Sequence, residues 1–312
     1  MTDYINKSQN IISILEKWTI KKPNSIAFKF LSGKNLLSEK TITYDELFHR
    51  AQLIAVNLQT SNVLPGDRAI LLYPPGLEYI CAFIGCLYAG VIAIPLYPPA
   101  NKSLIDKLQK VITNAEPKVI LIDESIATAI KKLRTIKLLE KLPFVEDITR
   151  KLVPDIHALG QFNVNNLFCL QTDRLKSSSF IEGFKAKNIE NNGVAYLQYT
   201  SGSTGDPKGV MISHANLVAN HAHITKTFSH NESTLGLSWV PPYHDLGLVG
   251  NILQTIYAGC MSILFSPFDF LKNPMQWLYL ISKYRVTISS APNFAYALCC
   301  KYAGNFNLKS LD

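Results

Sequence analysis

The sequence predicts an α/β fold: two side-by-side αβ subdomains with largely parallel sheets. Three observations predict it. First, short apolar runs rich in Val, Ile and Leu alternate with helical patterns across short turns. Examples are "RAILLY" (Arg68 to Tyr73), "VIAIPLY" (Val91 to Tyr97) and "KVILID" (Lys118 to Asp123). Such alternation marks βαβ units and a parallel sheet. Second, "LYAGVIAIPLYP" (Leu87 to Pro98) and "IYAGCMSILFSP" (Ile256 to Pro267) share one rhythm. Each reads as the end of an apolar helix, a Tyr-Ala-Gly cap, a buried strand and a proline. Third, a polar stretch rich in Ser, Lys and Asn runs from Gln171 to Asn192. It divides the chain into units of about 1–175 and 190–312 with a linker at 176–189. A ligand is expected in the crevice where the units meet.

The elements follow in order. Residues 1–18 read as an amphipathic helix. Thr43-Tyr44-Asp45-Glu46 has the form of a capping box opening a helix through Leu47, Ile54 and Leu58. Pro65-Gly66-Asp67 turns the chain into "RAILLY". A helix from about Leu77 to Tyr88 is closed by Gly90, and "VIAIPLY" is the next strand. Lys102 to Ala115 is a helix, and Pro117 then opens "KVILID". After the linker, "VAYLQY" is a strand, His214 to Thr227 a helix and "TLGLSWV" (Thr234 to Val240) a strand.

With hydrophobic residues at 47%, the 312-residue chain is well able to bury a large core. Charged residues are only 17%, yet Lys and Arg exceed Asp and Glu by 31 to 23. The net +8 suits anionic ligands. The basic residues are scattered rather than gathered into a stripe, which argues against nucleic acid. The six cysteines form no Cys-x-x-Cys pair and mostly lie in apolar runs, as reduced thiols of a cytoplasmic protein do. No signal-peptide pattern opens the chain. The uncharged stretches 79–101 and 246–268 are long enough to cross a bilayer, but each is broken by Gly, Pro or polar residues. They read as buried helix, cap and strand, not as integral membrane segments.

"YTSGSTGDPKG" (Tyr199 to Gly209) is the segment that carries chemistry. It follows a buried strand with a run of small, hydroxylated and flexible residues. Gly202, Gly205 and Gly209 allow close backbone approach to a ligand. Backbone N–H groups and the hydroxyls of Thr200, Ser201, Ser203 and Thr204 are able to wrap an anion, and Lys208 adds a point charge suited to phosphate. It is not the Walker loop, in which Gly-Lys-Ser/Thr runs straight into a helix. Here Pro207 precedes Lys208, and a strand follows. His221 and His223 are two apart, diverge on a helix and do not form a chelating pair.

"YTSGSTGDPKG" resembles the signature of the adenylate-forming superfamily, which includes acyl-CoA synthetases, nonribosomal adenylation domains and luciferases. The likeness runs through the chain in order, with "TYDEL", "GDRAILL", "AGVIAIP" and "SHANLVAN". "SWVPPYHDLGLVGNIL" (Ser238 to Leu253), "IPLYPPA" and "APNFAYALC" are similar in wording to the fatty acyl-AMP ligases. The resemblance implies the N-terminal part of the large domain of such an enzyme. It also implies ATP and Mg²⁺ as cofactors. Its substrate would be a long-chain fatty acid, and its product acyl-adenylate plus pyrophosphate. The acyl group would pass to the phosphopantetheine thiol of an acyl carrier protein.

By motif match, Thr200 would help place Mg²⁺, while Ser201, Gly202, Ser203, Thr204, Gly205, Lys208 and Gly209 would hold the β- and γ-phosphates. His244 would stand beside the acyl carboxylate and α-phosphate, with Asp245 orienting it or capping a helix. Trp239, Asp245, Phe294 and Tyr296, with Leu298, are acyl-site candidates. The family's adenine-contacting loop, acidic Mg²⁺ ligand, ribose-binding Asp and mobile C-terminal domain with its catalytic Lys would all follow Asp312. The chain by itself is therefore expected to be inactive. A fatty acyl-CoA ligase is the nearest alternative, and a non-catalytic nucleotide- or acyl-binding module the alternative of another class.

Overall fold

The computed structural model describes residues 9–99, 101–139, 168–175, 190–201 and 207–305. The expected linker 176–189, the first eight residues and the loop 202–206 lie outside the described residues. Within them, helix α1 (Ile11–Lys21) precedes strands β1 (Ile26–Ser32) and β2 (Ser38–Thr43). Then come α2 (Tyr44–Thr60), β3 (Arg68–Leu72), α3 (Leu77–Ala89), β4 (Ile92–Leu96), α4 (Lys102–Ala115), β5 (Val119–Ile122), α5 (Glu124–Leu139) and β6 (Phe168–Gln171). The second part holds the hairpin β7 (Val194–Ser201) and β8 (Pro207–Ser213), α6 (His214–Phe228) and β9 (Leu235–Ser238). It continues with a short turn α7 (Asp245–Gly247), a π-helical segment (Leu248–Leu253), α8 (Gln254–Ala258), β10 (Met261–Phe265), α9 (Pro267–Lys272), α10 (Met275–Tyr284), β11 (Ile288–Ser289) and α11 (Asn293–Tyr302).

Two sheets result. One has the order β6-β5-β3-β4-β7-β8 and the other β11-β9-β10-β1-β2. Every pairing is parallel except β7 with β8 and β1 with β2. The sheets do not part at the expected boundary. β7 and β8 follow it in sequence yet complete the sheet of β3 to β6, while β1 and β2 join β10 of the second half. The physical reason is register: Phe28 to Leu31 lie opposite Ser262 to Phe265, a pairing across more than two hundred residues that leaves no local mark.

Side-chain alternation explains the layers. On β3, Ala69 and Leu71 point to one core and Ile70 and Leu72 to another, and β5 repeats this with Val119 and Leu121 against Ile120 and Ile122. Strands buried on both faces need apolar residues at every position, hence their unbroken hydrophobic runs. The largest core joins the inner faces of both sheets to α1, α2 and α3. Leu108 and Val111 of α4 cover the outer face of the six-stranded sheet. Trp277 and Leu280 of α10, with Phe270 of α9, cover the outer face of the other. The Thr43–Glu46 capping box forms as expected.

The repeated rhythm is structural. α3 ends at Gly90 (φ 69°) and α8 at Gly259 (φ 65°), both left-handed caps, and each is followed by a strand inside its sheet. Glycine adopts this conformation without strain, and space adds to the demand, since a Cβ at 259 would overlap the Trp18 ring and one at 90 would press on Pro65 at 3.2 Å. All six cysteines are free thiols. Burial pushes the Cys81 thiol up to about 12 and that of Cys260 to about 11, which keeps both protonated and inert. Among the described residues no helix is long and apolar enough to cross a membrane.

Two buried histidines on α6 set a pH dependence. His214 and His221 are 3% and 0% exposed. The Nδ1 of His221 donates to Gln254 Oε1 at 2.8 Å, and its Nε2 has no hydrogen-bond partner among the described residues. A second proton on either ring would be buried among apolar groups, so both rings are pushed down to about 4 from an ordinary 6.5. The unfolded chain therefore binds more protons than the folded one between these values. Stability is complete above pH 6.5 and falls toward pH 4, by on the order of 2 kcal/mol for each ring. Urea unfolding at pH 7.5 and 5.0 checks this: His221→Asn should lose less stability on acidification than the wild type, and an equal loss would contradict it.

Candidate functional site

The carboxyl ends of parallel strands are where α/β sheets bind ligands. Here β4 and β7 lie side by side, with Ala93 opposite Tyr196. Counting four residues on from that pair brings Tyr97 level with Thr200. Beyond these strand ends opens a cleft of about 760 Å³, within the range of small-molecule sites.

One wall is Gln198, Tyr199 and Thr200 of β7, with Pro207 of β8. A second is Leu104, Lys107, Leu108 and Val111 of α4. A third is Pro241, Tyr243 and His244, and Phe268 of α9 closes the rim. Most of the lining is apolar, and Thr200, His244 and Lys107 bring the polar and charged groups.

The third wall is built by the Pro-Pro-Tyr-His sequence. After β9 the chain turns at Pro242 and Tyr243, and Pro242, which fixes its own φ and offers no N–H, suits the second position of that turn. His244 N donates to Pro241 O at 3.1 Å, and His244 then caps α7 in an extended conformation. Gln198 Nε2 donates to Tyr243 O at 3.1 Å, which ties this turn to the end of β7. The Tyr243 ring meets Tyr97 edge-on at 5.0 Å. Burial pushes the Tyr243 hydroxyl well above its ordinary range, so it stays neutral. His244 itself is exposed at the rim. Asp245 is exposed too, and its carboxylate accepts from Leu246 N rather than from the His244 ring.

The phosphate motif occupies the hairpin next to this wall. Its flanks are in register: Ser201 faces Pro207, Thr200 faces Lys208 and Tyr199 faces Gly209. Gly202, Ser203, Thr204 and Gly205 lie in the loop between them, outside the described residues. The structure thus brings Thr200 and His244 to one cleft, with Lys208 across the strand from Thr200. It does not bring the aromatic candidates there.

Trp239 is 3% exposed and stacks on Phe270 with ring centroids 3.7 Å apart. Phe294 leans on Trp239 at 5.9 Å and Tyr296 on Trp277 at 5.4 Å, both rings being half exposed. Leu298 packs partly buried against the same cluster. The link to the cleft is α9, whose Phe268 faces the rim while Phe270 faces Trp239.

Among the described residues no carboxylate lines the cleft, and they hold no group of three or more metal-ligating side chains. Among the described residues, Thr200 offers a hydroxyl at the end of β7 where the hairpin leaves the sheet. Such a site fits Mg²⁺ only as a companion of phosphate oxygens, the usual mode for a cation that keeps much of its water.

Tyr97, Lys107, Gln198 and Tyr243 were not singled out from the sequence. Gln198 immediately precedes the motif, and Tyr97 ends a strand whose neighbour carries it, so strand order was the missing signal. Lys107 had none beyond its place on an amphipathic helix.

A cleft at the carboxyl ends of a parallel sheet, with Thr200 and the exposed His244 on its walls, is the arrangement of a ligand-binding α/β protein. A family profile described as AMP-binding enzyme matches residues 15–312. The chain belongs to the AMP-binding enzyme family. It is 38% identical over 264 residues to the medium-chain-fatty-acid–[acyl-carrier-protein] ligase JamA of Moorena producens, a match covering 84% of this chain and 40% of that protein. It is 32% identical to the putative fatty-acid–CoA ligase FadD21 of Mycobacterium tuberculosis, over 97% of this chain and 49% of that one.

Among solved structures, the fatty acyl-adenylate ligase of L. pneumophila in complex with acyl adenylate and pyrophosphate matches with a TM-score of 0.79 and 37% identity. That match covers 100% of this chain and 49% of the other. The chain spans about half the length of the relatives it matches, or less.

Proposed function

We propose that the whole protein is a fatty acyl-AMP ligase. A fatty-acid carboxylate oxygen attacks the α-phosphorus of ATP, a mixed anhydride forms, and pyrophosphate leaves with the displaced bond's electron pair. The acyl group then passes to the phosphopantetheine thiol of an acyl carrier protein, with AMP released. One observation carries this reading: Thr200, beside the phosphate loop, and the exposed His244 stand on one cleft beyond β4 and β7.

Both reactants are anions, so the site must offset charge that builds on phosphoryl oxygens. Lys208 supplies a cation beside the β- and γ-phosphates, and the hydroxyls of Thr200, Ser201, Ser203 and Thr204 donate to their oxygens, along with backbone N–H groups at Gly202, Gly205 and Gly209. His244 donates to the carboxylate or an α-phosphoryl oxygen. Thr200 is the residue whose hydroxyl would help hold Mg²⁺, and the ion would supply further charge neutralisation. The acyl chain lies along the aromatic surface of Phe294 and Tyr296 over Trp239, which α9 joins to the cleft, and Asp245 fixes the helix start behind His244. The protein is placed in the cytoplasm, where ATP and carrier proteins are available and free thiols persist.

The likeness to JamA, a fatty-acid–[acyl-carrier-protein] ligase, and to the L. pneumophila fatty acyl-adenylate ligase supports acyl-AMP and carrier-protein chemistry, whereas that to FadD21, a putative fatty-acid–CoA ligase, points to CoA. Incubating the full-length protein with ATP, CoA and either decanoate or palmitate separates them. Acyl-AMP accumulating without acyl-CoA, seen by mass spectrometry, is the expected result. Steady acyl-CoA formation would favour the CoA ligase, and no product with either acid would favour a binding module. His244→Ala should lower kcat about 10²-fold, the usual cost of losing one donor to transition-state charge. An unchanged kcat would remove His244 from the mechanism.

A further inference from the structure

Tyr199 braces the hairpin that carries the phosphate loop. It pairs across the ladder with Gly209, and its ring lies on that residue's backbone: a Cβ at 209 would stand 3.0 Å from Tyr199 Cζ and 3.2 Å from its Oη. Glycine weakens a strand, and an aromatic ring laid across it from the opposite strand compensates. The ring's far end is anchored as well. Tyr199 Oη donates to Asn114 Oδ1 at 2.6 Å. Asn114 lies near the end of α4, the helix whose Leu104, Leu108 and Val111 form a cleft wall.

The position of this brace matters. Between it and loop 202–206 lie two cross-strand pairs, Thr200 with Lys208 and Ser201 with Pro207. β8 is an edge strand among the described residues, hydrogen-bonded on one side only, with Val210 and Met211 exposed at 46% and 70%. Nothing in the sheet beyond β8 fixes the hairpin's angle, so the Tyr199–Asn114 bond joins its neck to the cleft wall.

Resting on the functional reading above, we propose that Tyr199 and Asn114 are positioning residues that fix Thr200 and Lys208 on the polyphosphate of ATP.

The test is fatty-acid-dependent ATP–pyrophosphate exchange by the full-length protein. Tyr199→Phe removes only the hydroxyl, and Asn114→Ala removes its acceptor with the rest of the side-chain amide. Each should raise KM for ATP about 3- to 10-fold, the range of one hydrogen bond. KM for the fatty acid and the melting temperature should stay near wild type. The double variant should be no worse than either single, because both remove one link. Asn114→Asp, which keeps an acceptor oxygen, should restore KM for ATP toward wild type.

An unmoved KM for ATP in Tyr199→Phe would overturn the proposal while leaving the enzyme reading intact. So would equal rises for both substrates, or losses that add in the double variant. Absence of any exchange by the wild type would instead overturn the functional reading, and this proposal with it.

Discussion

Lys208→Ala in the full-length protein is expected to lower fatty-acid-dependent ATP–pyrophosphate exchange by 10²-fold or more, with little change in melting temperature. The side chain is exposed on edge strand β8 and buries no apolar surface that folding depends on. Its work is electrostatic: it faces Thr200 across the hairpin, at the neck of the loop that would hold the phosphates. Removing a preorganised charge from a site where anionic oxygens must be accommodated costs roughly 2.7–4 kcal/mol in comparable cases, which is 10²- to 10³-fold. Lys208→Arg should recover only part of the loss, since a planar fork does not reproduce a compact ammonium at one point. Exchange within threefold of wild type in Lys208→Ala would show that this lysine does not touch the phosphates.

Gly247→Ala is expected to destabilise the protein by about 2–3 kcal/mol and to impair activity with it. Gly247 has φ −74° and ψ −46°, ordinary helical values that alanine adopts freely. Helix propensity alone therefore predicts a gain of up to about 1 kcal/mol. The space around it predicts the reverse, because a Cβ there would overlap the carbonyl of Pro241. That carbonyl accepts the His244 N–H, and the adjoining Tyr243 carbonyl accepts from Gln198. A methyl group would thus push away the turn that presents His244. Thermal or urea unfolding decides the matter by sign, and a more stable variant would show that the turn yields to the methyl without strain.

Local signals were read well where the chemistry is local. The Thr43–Glu46 capping box and the Lys102–Ala115 helix depend on residues within four positions of one another. The matched caps at Gly90 and Gly259 do too, and both recur in the structure.

What the sequence hid was long-range. Nothing in "IAFKFLS" marks it as the partner of β10 rather than of β3, so the two sheets interleave in a way that a linear division at 176–189 missed. The π-helical segment Leu248–Leu253 lies in an apolar stretch whose periodicity shows helix but not its pitch. For the candidate site, Thr200 and His244 come from the wording of two motifs, and both line one cleft in the structure. Tyr97, Gln198, Tyr243 and Lys107 needed strand order. Of the acyl-site candidates, Trp239 is buried by stacking on Phe270, which leaves Phe294 and Tyr296 as the accessible rings.

The central claim is that the β7–β8 hairpin grips the polyphosphate of ATP. A crystal structure of the full-length protein with a non-hydrolysable acyl-adenylate and pyrophosphate tests it most directly. The account predicts pyrophosphate oxygens within hydrogen-bonding distance of Thr200 Oγ1 and Lys208 Nζ, with the phosphoryl group of the adenylate beside His244. Pyrophosphate bound elsewhere, with the loop at 202–206 empty, would contradict it.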